Sequence, residues 1–143
     1  MSKLSKSNNV IGFDFGTSFI GVALGNLVLR QARPLMTIER KSNVYYWHKI
    51  NQLMLKWQPE IAVVGKPLTL DGKAQEMTRL ADRFGNQLQG RYQIKVFTED
   101  ERLTTRLAQD IIHDSSAAKS KQLIDKIAAK IILQAWFDKN ETY

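Results

Sequence analysis

Three carboxylates in this 143-residue chain stand where solvated charges are not expected. Asp14 lies inside the apolar run Val10–Phe15, Glu101 follows a short strand-like run at 94–97, and Asp125 sits one residue beside the apolar stripe of a helical pattern. An ionised carboxylate in a strand covered on both faces is costly unless a cation, a donor-rich turn or a buried Arg compensates it. Taken singly, each of the three has an ordinary explanation as a cap, a surface charge or a salt-bridge partner. Glu99, Asp100 and Asp71 compete with them, and Asp71 is better explained as a helix cap. Taken together, each stands at an element end or on an inward edge. Converging carboxylates repel and do not stay ionised together without cations. Two divalent ions about 3.5–4 Å apart would resolve that repulsion and position in-line attack of water on a phosphodiester. The chain has no Cys and only two His, His48 and His113. Oxygen ligands remain, and they suit magnesium or manganese.

The elements that must position these acids follow from periodicity. Val10–Phe15 and Phe19–Leu24 read as a hairpin-connected strand pair around Gly16 and Thr17, and a third strand is expected near Arg33–Glu39, with Pro34 in an edge position. Asn43 offers a cap to a helix reaching Trp57, which Pro59 ends. Ile61–Gly65 is wholly apolar, as buried parallel strands are. A second helix is expected from Asp71 and Gly72 to about Gln89, a strand over Ile94–Phe97, and a short helix from Thr104 or Thr105. The small polar segment His113–Lys121 reads as a mobile loop and flap, and Gln122–Asp138 as a helix with one apolar stripe. Ala128 and Ala129 beside Asp125 would let that helix approach a sheet closely. The order predicts a mixed α/β sandwich whose first three strands are antiparallel and whose later strands are parallel. Ligand sites in such sheets sit at the carboxyl ends of strands, where Asp14 and Glu101 both fall.

At this length one domain is expected, at residues 10–143, after a disordered tail at residues 1–9. The tail has no apolar stretch behind its lysines, so it is no secretory signal, and no run is long enough to span a membrane. A cytoplasmic location is the expectation. The net charge of +7 points to a polyanionic partner, nucleic acid rather than a membrane surface.

Four stretches, FDFGTSFIGVALG, VVGKPLTLDG, DERLTT and IDKIAAKIIL, resemble in that order the YqgF-type family. These are RNase H-fold proteins similar to Holliday-junction resolvases and regarded as nucleases that trim the 5′ end of pre-16S rRNA. The resemblance covers about Val10 to Phe137. It implies an RNase H-like fold with a five-stranded sheet, a metal-dependent nuclease of the hydrolase class, and a role in ribosome biogenesis. By the match, Asp14, Glu101 and Asp125 correspond to the family's acidic triad, catalytic and metal-binding. Lys66 departs from the pattern, standing where the family has an apolar residue before Pro67.

Basic residues flank the expected site. Lys66, Arg102, Arg106 and Lys121 are the candidates for phosphate contact, which positions a substrate without reading its sequence. His113 reads as a surface residue. The run from Asp14 to Ser18 also resembles the phosphate-binding hairpin of actin-like ATPases, but those need two related lobes and this chain has room for one. The remaining alternative is a non-catalytic nucleic-acid-binding factor in transcription or ribosome assembly, which would not need all three carboxylates. Structured RNA such as a ribosome precursor and branched DNA both stay open as substrate, as do a monomer and a homodimer.

Overall fold

The computed structural model describes residues 7–67, 75–100 and 117–141. Strands β1 (Asn9–Phe15), β2 (Phe19–Asn26) and β3 (Ala32–Glu39) pair antiparallel, β1 with β2 and β2 with β3. Strand β4 (Ile61–Lys66) runs parallel to β1, and β5 (Lys95–Asp100) runs parallel to β4. The sheet order is β3-β2-β1-β4-β5, the mixed sheet predicted. Pro34, which cannot donate to a ladder, sits on the edge strand beside a register shift opposite Val22 and Ala23.

Helix α1 (Asn43–Trp57) begins one residue earlier in its capping than expected: Ser42, not Asn43, caps it, accepting the Tyr45 N–H at 3.1 Å. Helix α2 spans Glu76–Tyr92, so the start expected at Asp71 and Gly72 is corrected. Gln75 and Thr78 cap it reciprocally, and Thr78 Oγ1 also donates to the Pro67 carbonyl, tying the helix start to the end of β4. Asp71 lies outside the described residues, as does the short helix expected after Thr104.

Helix α3 spans Ala117–Lys139. The mobile loop expected over His113–Lys121 is therefore corrected over its second half, where Ala and Lys favour helix. Strand β5 outruns its expected end at Phe97 because β4 offers partners as far as Lys66 opposite Asp100. Asn9, the last residue expected in the tail, is instead part of the sheet. It opens β1 and its side chain donates to the Trp57 carbonyl at 2.7 Å.

Side chains alternate across the sheet, so each face has its own core. Ile11, Phe13 and Phe15 of β1 pack with α1 and α2 on one face. Val10, with Ala23 and Val63 of neighbouring strands, packs with Ala129, Leu133 and Phe137 of α3 on the other. Gly12 and Asp14 share the parity of Val10 and so belong to the α3 face.

Candidate active site

Asp14 stands at the carboxyl end of β1 and is half-buried. Its cross-strand partner on β2 is Gly21. Paired residues of antiparallel strands point to the same face, and the face is settled by what a side chain at Gly21 would meet. A Cβ there would overlap the carbonyl of Asp125 and lie 3.1 Å from the Lys126 nitrogen. Helix α3 thus crosses β2 backbone to backbone at Asp125, directly beside Asp14. Asp125 is only 7 % exposed. Two acids separated by more than a hundred residues are brought to one place by one glycine.

The remaining strands extend this edge. Phe13 pairs with Val64 and Gly65 with Glu99, so one step past the last β1–β4 pair gives a row of Gly21, Asp14, Gly65 and Glu99 across the sheet. Strands β1 and β5 are not neighbours; β4 lies between them, and all three carboxyl ends share one edge. At about 4.8 Å per strand, Asp14 and Glu99 are roughly 10 Å apart along the row. Gly65 places no side chain between them.

Glu99 is 5 % exposed and accepts a hydrogen bond from Lys139 Nζ at the end of α3. That bond, reinforced by the charges of Glu99 and Asp100, raises the Lys139 ammonium above its ordinary value of 10.5. Glu99 is thereby a structural carboxylate tying α3 to β5. Glu101, the third acid predicted, lies outside the described residues. No three Asp, Glu, His or Cys side chains converge as a metal-holding group among the described residues. Asp14 and Asp125 are hard oxygen donors on one face, and that donor chemistry fits magnesium or manganese.

The predicted phosphate contacts divide. Lys66, at the carboxyl end of β4, pairs with Asp82 of α2 at 3.8 Å, both side chains partly exposed. Arg102 and Arg106 lie outside the described residues, and Lys121 belongs to α3 without a described side chain.

Arg40 escaped the sequence reading. Its Nη1 donates to the Gly16 carbonyl at 2.7 Å, with Thr17 O at 3.3 Å, and its guanidinium lies 4.3 Å from the Phe15 ring centroid. Its backbone N–H donates to Ser18 O at 2.9 Å. It therefore holds the β1–β2 turn that follows Asp14. Nothing in the local pattern of Glu39–Lys41 marks this role, because the partners lie more than twenty residues earlier.

Known proteins resemble this chain throughout its length. Residues 8–139 match the RuvX family model, described as Holliday junction resolvase. A Shewanella oneidensis protein named "Putative pre-16S rRNA nuclease" is 40% identical over 134 residues, covering 92% of this chain and 95% of that protein. A Nitrosococcus oceani protein of the same name is 42% identical over 139 residues, covering 96% and 91%. Among solved structures, Thermus thermophilus RuvC in complex with a Holliday junction substrate superposes with a TM-score of 0.56 at 14% identity, covering 94% of this chain and 96% of that one. The fowlpox virus Holliday junction resolvase gives 0.59 at 10% identity, covering 92% and 99%. At these identities the structural likeness establishes the RNase H-like fold.

Proposed function

From the premise that this chain belongs to the RuvX family, we propose that it is a divalent-metal-dependent nuclease that hydrolyses phosphodiester bonds, with the 5′ end of pre-16S rRNA as its substrate. The observation that carries the reading is the contact between Gly21 and the Asp125 backbone, which sets Asp125 beside Asp14 at the carboxyl edge of the sheet. Asp14, Glu101 and Asp125 would hold magnesium or manganese, whose chemistry is to polarise phosphoryl oxygens and to generate hydroxide from water near neutral pH. The chain's own part is to fix these acids on a strand and a helix rather than on loops, so little reorganisation is needed on binding. Arg40 keeps the turn after Asp14 in one conformation.

Lys66, Arg102, Arg106 and Lys121 are assigned to phosphate contact. Lys66 can exchange Asp82 for a phosphate cheaply, since a partly exposed pair of this kind is worth about 1 kcal/mol or less. No described helix is long and apolar enough to cross a membrane, and the cytoplasm is the compartment that goes with this substrate. End trimming needs a single copy of the site, whereas paired cleavage of a DNA junction would need two.

The test is a cleavage assay on a pre-16S rRNA fragment and on a four-way DNA junction, with and without magnesium, for the wild type and Asp14→Asn. Magnesium-dependent trimming of the RNA by the wild type and its loss in the variant are expected. Magnesium should raise the melting temperature of the wild type and have much less effect on the variant. Without metal, Asp14→Asn should melt no lower than the wild type, because it relieves repulsion with Asp125. Junction cleavage alone would move the substrate to DNA. Binding without cleavage of either, with melting indifferent to magnesium, would leave a non-catalytic binding factor.

A further inference from the structure

The outward side of α1 carries cations without carboxylates. None of its fifteen residues is Asp or Glu. Tyr45, Lys49 and Lys56 recur at i, i+4 and i+11, which puts them within about 40° of one line running some 16 Å along the helix. Lys41 Nζ lies 5.0 Å and Lys49 Nζ 5.7 Å from the centroid of the Tyr45 ring. At the far end, Lys56 Nζ lies 5.1 Å and the Arg33 guanidinium 5.5 Å from the Trp57 centroid. Among the described residues none of these four cations is paired with a carboxylate. Half-exposed rings flanked by unneutralised cations are the means by which proteins hold single strands: bases stack on the rings and phosphates meet the cations.

The position of this stripe relates it to the acids. Its first cation, Lys41, follows Arg40, which grips the β1–β2 turn next to Asp14. The helix then runs along the sheet face opposite α3. A strand leaving the carboxylate edge past that turn would meet Lys41 and Tyr45 first and Lys56 last. The exposed apolar residues of α1 do not make a membrane-binding stripe. Val44 and Leu55 are 83% and 68% exposed, but the polar His48 and Asn51 lie between them on the same side of the helix.

We propose that the outward face of α1 is a second nucleic-acid surface, a track for the single-stranded RNA that continues beyond the bond being cut. The proposal rests on the nuclease reading only for the choice of RNA as substrate, and its test involves no cleavage. Binding of a fluorescein-labelled oligouridine of about 12 nucleotides, a length within the range such surfaces cover, is measured in EDTA with the full chain. Lys49→Glu/Lys56→Glu should weaken binding about tenfold or more and reduce the log–log salt slope by about 1.4, two contacts at roughly 0.7 each. Tyr45→Leu, which leaves the charge unchanged, should weaken it about fivefold or more through lost stacking. The control Arg79→Glu/Arg83→Glu makes the same charge change on α2 and should cost less than about threefold if the effect is local. Binding is read in EDTA, where metal-dependent cleavage does not enter, so failure of the nuclease reading and failure of this one are told apart. Equal losses in the two double reversals, or no loss with Tyr45→Leu, would overturn the proposal. So would unchanged RNA binding together with lost binding to phosphatidylserine vesicles in the α1 reversal, which would make the surface a membrane one.

Discussion

The two faces of the sheet are packed by opposite means. On one, α1 and α2 meet the strands through large rings. Phe84 stacks on Phe15 with centroids 4.5 Å apart, meets Phe13 edge-on at 5.2 Å and lies against Trp47 at 5.4 Å. On the other, α3 meets glycines. A Cβ at Gly12 would come within 2.9 Å of Leu133 Cβ, and one at Gly25 within 2.5 Å of the Phe137 ring. Rings hold a helix at side-chain distance, and their contacts can be redistributed when one atom is lost or gained. Glycines admit the helix backbone itself, so its placement is set by hard contact. The acids Asp14 and Asp125 are on the glycine face. A short Asp side chain has little reach, and only close approach of the backbone brings it beside a partner on the sheet.

The largest expected effect breaks the ring face. Phe84→Ala removes a buried ring at the centre of the aromatic cluster and should cost about 3–5 kcal/mol in urea unfolding. Stability falls, while cleavage by the folded fraction should remain. Gly21→Ala breaks the other face. The added Cβ meets backbone, which cannot swing aside, and a cost of about 2–3 kcal/mol is expected. Here cleavage should fall further than stability, because the obstacle displaces Asp125 from Asp14. If both variants lost activity only in proportion to unfolding, the contrast between the faces would carry no functional meaning.

Lys139→Met sharpens the comparison at the end of α3. It leaves the buried Glu99 carboxylate without its ammonium. Because Lys139 is itself 64% exposed, the several kcal/mol of a fully buried pair reduces to about 1–2 kcal/mol. The pH dependence has a definite sign. The hydrogen bond to Glu99 raises the Lys139 ammonium above 10.5, so its contribution is complete below that pH and is lost as pH rises through the raised value. The wild type should therefore lose more melting temperature than Lys139→Met between pH 10 and 12, roughly the window in which lysine titrates. The smallest effect is a gain. Gly90 of α2 has open space around the position of a Cβ, so Gly90→Ala should stabilise by about 0.5–1 kcal/mol, in contrast with Gly21→Ala.

Much of this architecture was legible in the chain because its cause is local. Alternation and apolar runs marked the strands, and the 3.6-residue period marked the helices around Trp47, Phe84 and Ile132. The alanines beside Asp125 announced a helix that packs closely, and Asp125 is indeed buried. At the start of α2 and the end of β5, where the expected bounds were off, a partner outside the element had intervened. Helix α2 starts at Glu76 because Thr78 is tied to Pro67, and β5 reaches Asp100 because β4 offers it a ladder.

By itself, then, the sequence determined which segments are strands and helices, that the early strands form an antiparallel unit, and which carboxylates are out of place among apolar neighbours. All three depend on residues within a few positions of one another. The tertiary structure alone decided that β4 separates β1 from β5, that Gly21 is the point where α3 touches the sheet, that Glu99 is held by Lys139, and that Arg40 secures the turn after Asp14. Those contacts join residues from more than twenty to about a hundred positions apart. Local periodicity carries no record of such partners, since it reports which face of an element is apolar and not what will be packed against it.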